Sequence, residues 1–522
     1  MRTRADMPTG HGELVTRPPL SEWAELAHSN ALATAAWHFE VGGRPIGELR
    51  ESARKILLET AAGITADMGI DAAPLPRNPG PVVVTGHQPD LYHSGIWIKD
   101  FLLQHITRET GGTGVDVVVD TDSFDWVGLK APCLDPEIKR CRQYLAVGVR
   151  DSCYAFTPAP SADDIDDFCA SVSAVLATLP APAIVRHFSA FCDSLRAVAP
   201  GSDSLAELIT SARRHYEGDL TDYLELPVTV ASASDPFLRF AVDILLDAEH
   251  FAACYNAELA EFRSLNKLRS SAQPFPDLEV ETPIVEVPFW LLGPDGRSSA
   301  RVRDTGEGVE LLAPEGVVVV LPRDADAAHA ALAESAVLLA PRAVTLTLFF
   351  RTFLADLFIH GVGGDRYDRI TDGIAERWWG ITLPPYAVAS LTMFLPLGAV
   401  MVTDEDIADI DRRLHRLAHN PDEALGDVEF DSAEERRDAI ALAEEKRDLV
   451  EAISMPGADK KSLGARIREV NVELAGLVEP LAEELRDRRE RLVAQQLDAE
   501  VLTDRTYPFC LWSPVEVADK IG

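Results

Sequence analysis

The stretch Val82–Leu103, VVVTGHQPDLYHSGIWIKDFLL, decides the fold of this 522-residue chain. Its valine run stops at Thr85-Gly86, and a segment with helical spacing follows from Ser94 to Thr110, ending at the glycines of GGTG. A second valine-rich run, VDVVVD, occupies Val115–Asp120. Strand, turn, helix and strand make a βαβ unit, and uninterrupted valine runs are typical of strands buried on both faces. Because such crossovers are right-handed, the stretch predicts a parallel, doubly wound, Rossmann-like sheet.

The rest of the first four hundred residues extends this α/β prediction. Helical spacing covers Ser21–Met68, and residues 161–217 are mostly helical. LPVTVASASDPFLRF predicts a further strand and a helix that runs to about Leu268. TPIVEVPFWLL and VELLAPEGVVVVLP predict a short antiparallel β region, and PPYAVASLTMFL predicts a last strand. Between these, Arg342–Trp379 is expected to form an apolar helix followed by a glycine-rich turn.

From about Thr403 the composition shifts to runs rich in Ala, Leu, Glu and Arg. Apolar residues such as Ala439, Leu442 and Leu449 are heptad-compatible, and SMPGADKK breaks two long helical runs, which predicts an antiparallel coiled-coil hairpin. We therefore expect an N-terminal helical segment (1–75), a Rossmann-like core (76–402) with insertions at about 155–225 and 280–325, a helical coiled-coil hairpin (403–500), and a C-terminal tail packing on the core (501–522).

The charge balance limits the partners of this acidic protein. It has 84 acidic and 49 basic residues, a formal net charge of -35, which disfavours binding to nucleic acids and anionic membranes. Its seven cysteines include no close CxxC pair, so neither a disulfide framework nor a structural zinc site is indicated. It shows no secretory signal and no membrane-length apolar segment. We expect a soluble, reduced, cytoplasmic protein that acts on small molecules.

The turn after the first strand of the βαβ unit is the first candidate site. Gly86 lets the backbone approach a ligand, and the helix that follows presents free N–H groups to an anion. His87 could then contact a phosphate or shuttle a proton, and Lys99 could supply a positive charge, with Thr85 and Gln88 beside them. The alternative is that His87 caps the helix and Lys99 is solvated. The spacing of His87 and His93 fits no common metal pair.

Two further clusters follow other apolar segments. Asp120, Asp122 and Asp125 come directly after the second strand, where carboxylates can hold Mg²⁺, a substrate ammonium or ribose hydroxyls, or simply cap turns. The other cluster joins residues of the Arg342–Trp379 segment that are suited to close ligand approach: Arg351, His360, Gly361, Gly363, Gly364, Asp365 and Tyr367. There the alternatives are a plain ion pair between Arg351 and Asp356, and His360 as a C-terminal helix cap. No P-loop, nucleophile elbow, HExxH or complete GxGxxG motif is present.

Three features resemble the bacillithiol synthase (cysteine ligase) family. VVVTGHQPDLYHSGIWIK is similar to the family's TGQQ-type strand, turn and tyrosine-rich helix with a lysine, with Gln88 at the second glutamine and His87 at the first. LAPRAVTLTLFFRTFLADLFIHGVGGDRYDRI resembles its SPN-x-x-LRP segment and the GGPGE turn that follows. The long helical hairpin with a closing aromatic tail is similar as well.

This resemblance implies a nucleotidyltransferase-like core, a coiled coil that makes a homodimer, and an active cleft lined by Thr85–Gln88 and Gly361–Asp365 with Lys99 nearby. It implies a ligase that joins cysteine, or a similar amino acid, to an amine such as that of glucosaminyl-malate. We expect ATP or ADP and Mg²⁺ as cofactors, His87, Asp120 and Asp122 as catalytic residues, and substrate or nucleotide contacts from the other residues named above. The alternatives are a nucleotidyltransferase of the same fold and a non-catalytic, ligand-binding dimer scaffold.

Overall fold

The computed structural model describes residues 7–72, 74–75, 80–134, 137–149, 151–270, 273–293, 296–398, 402–430 and 432–522. The chain forms two compact units. Unit 1 comprises Met1–Asp135, Arg140–Leu395 and Arg505–Gly522, and unit 2 comprises Pro136–Lys139 and Pro396–Asp504. The predicted N-terminal segment (1–75) and residues 505–522 of the predicted tail therefore belong to unit 1, whereas residues 501–504 belong to unit 2.

The described residues form strands β1 Glu13–Arg17, β2 Glu40–Val41, β3 Arg44–Pro45, β4 Val82–His87, β5 Thr113–Val118, β6 Trp126–Leu134, β7 Ile138–Val147, β8 Leu224–Pro227, β9 Val280–Glu281, β10 Ile284–Gly293, β11 Gly296–Asp304, β12 Gly308–Ala313, β13 Gly316–Pro322, β14 Leu338–Pro341, β15 Leu357–Gly361 and β16 Ala387–Thr392.

Their helices are α1 Trp23–Ala35, α2 Ile46–Asp67, α3 Ser94–Thr110, α4 Ala162–Leu176, α5 Pro182–Val198, α6 Leu205–Glu217, α7 Val228–Ser232, α8 Asp235–Leu246, α9 Ala248–Leu265, α10 Ala325–Glu334, α11 Val344–Phe353, α12 Val362–Trp379, α13 Asp404–His419, α14 Ala433–Ile453, α15 Lys460–Leu502 and α16 Pro514–Ala518. None of the helices within these described ranges combines the length and apolarity needed to cross a membrane.

The predicted mixed α/β architecture is confirmed, with a six-stranded central sheet in unit 1. Its order is β1-β16-β15-β4-β5-β8. The neighbours from β16 to β8 pair in parallel, and β1 joins the edge antiparallel to β16. The valines of β4 and β5 are fully buried, as expected for strands covered on both faces. Helix α3 packs on both of these strands and on β15 and β16.

A second, antiparallel sheet has the order β13-β12-β11-β10-β14, with β9 paired to β10. This is the antiparallel region that the sequence predicted. It joins the core of unit 1 through aromatic contacts: Phe289 on β10 lies 6.0 Å from Phe237 and 6.2 Å from Phe240 between ring centroids, both on α8. Arg297, near the start of β11, is thereby carried to the loop that follows β5.

The end of the chain and unit 2 are each held by apolar contacts of their own. Phe509 of the tail packs 5.0 Å from Trp97 on α3 and 5.4 Å from Phe191 on α5. Within unit 2, α14 and α15 pack against each other, and α13 packs against α15 through a cluster that includes Ile410 and Leu485.

Two expectations were wrong. The apolar stretch from Arg342 is not one helix, because α11 ends at Phe353 and β15 begins at Leu357, so His360 lies in a strand and caps no helix. The segment is a helix followed by a further strand–turn–helix unit. The expectation that the chain has no disulfide also fails, since Cys133 on β6 is bonded to Cys141 on β7 across a hairpin that the sequence analysis did not predict.

Candidate functional site

The carboxyl ends of β4 and β15 lie side by side where the strand order reverses. From β4 the chain adds β5 and then β8 on one side, whereas β15 and β16 lie on the other. Thr85 Oγ1 joins the two turns by donating a hydrogen bond of 2.9 Å to the carbonyl oxygen of Ile359. Ligands of open parallel sheets bind outside the carboxyl ends at such a switch point. The two glycine-bearing turns that sequence analysis singled out therefore meet at the position where a ligand is expected.

His87 is a neutral ring at the end of β4. Its Nδ1 lies 3.1 Å from the carbonyl oxygen of Gln88, and the ring packs edge-to-face on Tyr92 with centroids 4.9 Å apart. Burial, with the positive charge of Lys99 nearby, lowers the pKa of His87 to about 3. At neutral pH the imidazole can exchange hydrogen bonds but carries no charge. A contact between His87 and a phosphate would therefore rest on hydrogen bonding and not on charge.

Lys99 is turned into the protein. Its Nζ donates to Thr85 Oγ1 at 3.1 Å and to the carbonyl oxygen of Gly86 at 2.9 Å, so it ties α3 to the end of β4. Burial lowers the pKa of this ammonium group. His93 accepts a hydrogen bond from the backbone N–H of Gly95 at 3.0 Å and thereby caps α3. Lys99 and His93, predicted to contact a ligand, both make structural contacts.

Gly86 has a steric reason to be glycine. A Cβ at this position would lie 2.8 Å from the carbonyl oxygen of Val117 on β5, closer than a carbon atom tolerates. The glycine thus permits the close pairing of β4 and β5 at the edge where the site lies.

Below this turn lies an inner charge cluster that sequence analysis missed. Arg213 on α6 binds Asp100 at 2.6 Å, Asp116 at 2.9 Å and Glu225 at 2.6 Å, and all four side chains are buried. Burial raises the pKa of Asp100 to about 7, although Arg213 opposes that shift. A cavity of about 10 Å³, room for a single water molecule, separates the cluster from His87. The sequence feature that could have revealed this cluster is the adjacent pair Arg213 and Arg214 within the amphipathic helix α6.

The three aspartates after β5 have different surroundings. Both carboxylate oxygens of Asp120 accept hydrogen bonds from Thr229, from its N–H at 3.0 Å and from its hydroxyl. Burial raises the pKa of Asp120 to about 6. Asp122 accepts from Gln88 Nε2 at 2.8 Å and from Arg297 at 2.9 Å. Asp125 is exposed just before β6.

This arrangement does not fit the magnesium site expected from Asp120 and Asp122, because both carboxylates are already occupied by protein donors. Within the parts of the chain that the structure describes, no group of three or more His, Cys, Asp and Glu side chains could hold a metal ion.

Two arginines at the second sheet, each paired with a carboxylate, stack on one tryptophan ring. The guanidinium groups of Arg297 and Arg342 lie over the ring of Trp290, 4.5 Å and 4.4 Å from its centroid. Arg342 also pairs with Glu286 at 2.5 Å. We call Trp290, Arg297 and Arg342 the arginine–tryptophan wall. The placement of Arg297 beside Asp122 joins residues far apart in sequence and had no local signal.

The end of β15 carries a histidine oriented by a carboxylate. His360 Nε2 lies 3.0 Å from Asp368, which Arg351 also contacts. Burial alone would raise the pKa of Asp368, but Arg351 and His360 outweigh it and lower that pKa to about 2. An ionised carboxylate only accepts, so Nε2 of His360 carries a hydrogen and donates it to Asp368. A Cβ at Gly364 would lie 3.1 Å from Nδ1.

The expected ion pair between Arg351 and Asp356 does not form. Arg351 binds Asp368 and Asp372, the latter at 2.8 Å, whereas Asp356, just before the amino end of β15, accepts from Arg50 at 2.9 Å.

The other predicted residues of this turn divide into open and packed positions. A Cβ at Gly361 or Gly363 would meet no described atom within 4 Å, so the surface beside the first turn of α12 is open. Asp365 is buried and accepts from the Tyr386 hydroxyl at 2.9 Å. Tyr367 packs against Phe275 with ring centroids 5.5 Å apart and serves the core.

This edge of the sheet has three features: the open N-terminus of α12, the His360 ring oriented by Asp368, and the arginine–tryptophan wall. The wall connects to the β4 turn because Asp122 accepts hydrogen bonds from both Arg297 and Gln88. These groups suit an anionic small molecule that is positioned and then deprotonated or attacked. No protein-family model matches the chain, and a comparison with curated proteins finds no match either.

Proposed function

We propose that the protein is a Rossmann-like ligase, similar to the bacillithiol synthase family, that joins a cysteine-like amino acid to the amine of a small metabolite. One observation carries the proposal: the turns after β4 and β15, which carry the resemblance in sequence, lie side by side at the switch point of the parallel strands. The proposed cytoplasmic location follows from a reaction that draws on the cell's nucleotide and amino acid pools.

The first turn of α12 is the proposed anion site. The leading N–H groups of a helix have no acceptor within the helix and carry partial positive charge. The open surface beside Gly361 and Gly363 leaves room for a phosphate or carboxylate there, so the residues present fit the phosphates of a nucleotide. A bound nucleotide would supply the activation of the substrate carboxyl group. Arg297 and Arg342 add guanidinium donors to this edge, each of them paired with one carboxylate, Asp122 and Glu286.

His360 is the proposed general base for the attacking amine. Its Nε2–H is directed at Asp368, so in the neutral imidazole Nδ1 is the nitrogen with the lone pair, and a base held by a second group is the arrangement that general-base catalysis requires. Asp368 acts through His360 and is a positioning residue. Gly364 keeps the space beside Nδ1 open, since a side chain would approach it to 3.1 Å. The proposal thus moves the base from the β4 turn, where the sequence placed it, to the β15 turn.

The experiment is a product assay with ATP, Mg²⁺, cysteine and glucosaminyl-malate, with products identified by mass spectrometry. We expect an amide in the wild type and a turnover lower by about 10²–10⁴ in His360→Gln, with little change in KM. His250→Gln is the matched control, because His250 is exposed on α9. A nucleotide-linked product without an amide would assign the nucleotidyltransferase alternative instead. If the folded protein binds neither ATP nor ADP, the non-catalytic, ligand-binding scaffold is the remaining alternative.

Unit 2 is the proposed dimerisation element, through a coiled coil built on α14 and α15. Both helices present exposed apolar side chains, including Ile440, Val450 and Val472, the last 73% exposed. Covering them in a second copy would bury apolar surface on a hairpin that is otherwise charged. Sedimentation equilibrium should give a dimer for the wild type and a monomer for Val472→Glu. Lys460→Glu, an exposed change at the start of α15, should remain dimeric; a monomeric wild type would end this proposal.

A further inference from the structure

Two exposed histidines lie on one face of helix α13 in unit 2. His415 and His419 are four residues apart, and their ring centroids are 4.3 Å apart with an angle of 55° between the ring planes. Neither imidazole has a hydrogen bond or an ion pair within the described ranges of the chain, whereas His93 caps α3 and His360 is held by Asp368. The ring nitrogens of His415 and His419 are therefore available to a ligand.

The spacing of this pair meets the requirement of a metal ion that binds two imidazoles. Side chains four residues apart are neighbours on a helix surface, and histidines at this spacing supply two zinc ligands in the HExxH motif. Metal–nitrogen bonds are about 2.1 Å long, so the two nitrogens on one ion need to be about 3.0–3.5 Å apart. Rings whose centroids are 4.3 Å apart reach that separation by rotation about their side-chain bonds.

The position of the pair at the carboxyl end of α13 also favours a cation. His419 is the last residue of the helix, where carbonyl groups without an intrahelical partner carry partial negative charge. Arg412 and Arg416 each precede one of the histidines by three residues and oppose a cation, although Arg412 is paired with Glu405 at 2.7 Å. These arginines weaken the site without occupying the ring nitrogens.

The protein supplies two ligands at this site. Asp411 lies one turn before His415, but its carboxylate accepts a hydrogen bond from Arg489 at 2.6 Å. This agrees with the finding that the described residues contain no metal-binding group of three or more side chains. Water would complete the coordination of the ion. Imidazole ligands suit Ni²⁺, Cu²⁺ and Zn²⁺, whereas Mg²⁺ and Ca²⁺ take oxygen ligands.

We propose that His415 and His419 form a surface site for a late first-row transition metal ion, bound through one nitrogen of each ring. Neutral imidazole is the commonest metal ligand in proteins, and Cu²⁺ is expected to bind more tightly than Ni²⁺ or Zn²⁺. The site is independent of the proposed ligase reaction, since neither the switch point nor His360 takes part in it.

The test is calorimetric titration of the full-length protein, without an affinity tag, with NiCl₂ at pH 8. We expect saturable binding in the wild type, weakened at least tenfold in His415→Gln and in His419→Gln. Both side chains are exposed, so these variants should keep the far-ultraviolet circular dichroism of the wild type. His28→Gln is the matched control: it makes the same change at an exposed position of helix α1 and should bind Ni²⁺ as the wild type does.

A second variant tests the spacing and keeps the composition. His419→Asn combined with Asn420→His moves one histidine to a separation of five residues, off the face of His415, and should weaken Ni²⁺ binding at least tenfold. Electron paramagnetic resonance with one equivalent of Cu²⁺ should show hyperfine coupling to two nitrogens in the wild type and to one in His419→Gln. No saturable Ni²⁺ binding by the wild type, or wild-type affinity in the exchanged variant, would overturn the proposal. None of these measurements depends on ligase activity.

Discussion

Replacing Arg213 by methionine tests the inner charge cluster most directly. Arg213 contacts Asp100, Asp116 and Glu225 within 2.9 Å, and these side chains are between 0% and 6% exposed. Methionine has much of the volume of the arginine side chain but no charge, so the carboxylates of Asp100, Asp116 and Glu225 lose a positively charged neighbour. Removing one partner from a buried ion pair typically costs about 3–5 kcal/mol. This is a large share of the roughly 5–15 kcal/mol that stabilises an ordinary domain.

The pH dependence of that loss follows from the same contacts. Arg213 lowers the pKa values of Asp100 and Glu225 in the wild type, against the larger effect of burial, which raises them. Without Arg213 these carboxyl groups hold their protons to higher pH in the folded state than in the unfolded chain. A folded state that binds more protons gains stability as pH falls. The deficit of Arg213→Met should therefore be smaller at pH 5 than at pH 8.

Urea unfolding followed by tryptophan fluorescence measures this, since Trp97 donates to Glu217 beside the cluster. With a slope of about 3 kcal/mol/M, the expected loss lowers the midpoint by about 1–2 M. Adding Glu225→Gln should recover part of it, with a coupling energy of about 1–3 kcal/mol. Arg196→Met, at a half-exposed surface pair, should cost under about 0.5 kcal/mol. A loss below about 1 kcal/mol at pH 8, or one that does not change with pH, would refute the reasoning.

Three further changes test other parts of unit 1. Gly86→Ala should lower the unfolding free energy by about 1–3 kcal/mol, because its Cβ meets the Val117 carbonyl oxygen on β5. Gly361→Ala, in open space, should leave the unfolding free energy nearly unchanged, and equal urea midpoints for the two variants would contradict this reasoning. The folded-state pKa of Asp120 is about 6 against an ordinary 3.8, so the unfolding free energy of the wild type should fall relative to that of Asp120→Asn as pH rises from about 4 to 6. Parallel profiles of unfolding free energy against pH would contradict this. Cys141→Ser removes the disulfide of an eight-residue separation and should cost about 2–3 kcal/mol in urea unfolding, a difference that reductant should abolish.

The fold was predictable where a local pattern fixed it. The valine runs of β4 and β5 with α3 between them gave the parallel pair, because period and composition both point to buried strands there. The order of the other strands was not readable, since pairing of β15 with β4 joins segments far apart in sequence. The stretch around His360 shows the limit: LFIHG follows an apolar helix directly, and an apolar run of that length has no period that distinguishes a strand from a helix.

The sequence predicted where the candidate site lies better than it predicted which side chains of the site are free to act. Glycines located both turns, because close backbone approach needs them, although the second turn was expected after a helix and follows strand β15. Which side chains stay free depended on contacts from remote elements: Thr229 occupies Asp120, and Arg297 occupies Asp122. The disulfide of the β6–β7 hairpin depended on a register that two isolated cysteines do not reveal.

The dense polar chemistry of VVVTGHQPDLYH has a structural explanation that redirects the search for function. Thr85 joins β4 to β15, Lys99 ties α3 to β4, and His93 caps α3. Each of these groups would have to break a protein contact to reach a ligand, and His87 carries no charge to offer one. At the adjacent β15 turn, by contrast, His360 is oriented by Asp368 through Nε2, and the surface beside Gly361 and Gly363 of α12 is open. The β4 turn therefore builds the edge of the site, and the reactive group is to be sought on β15.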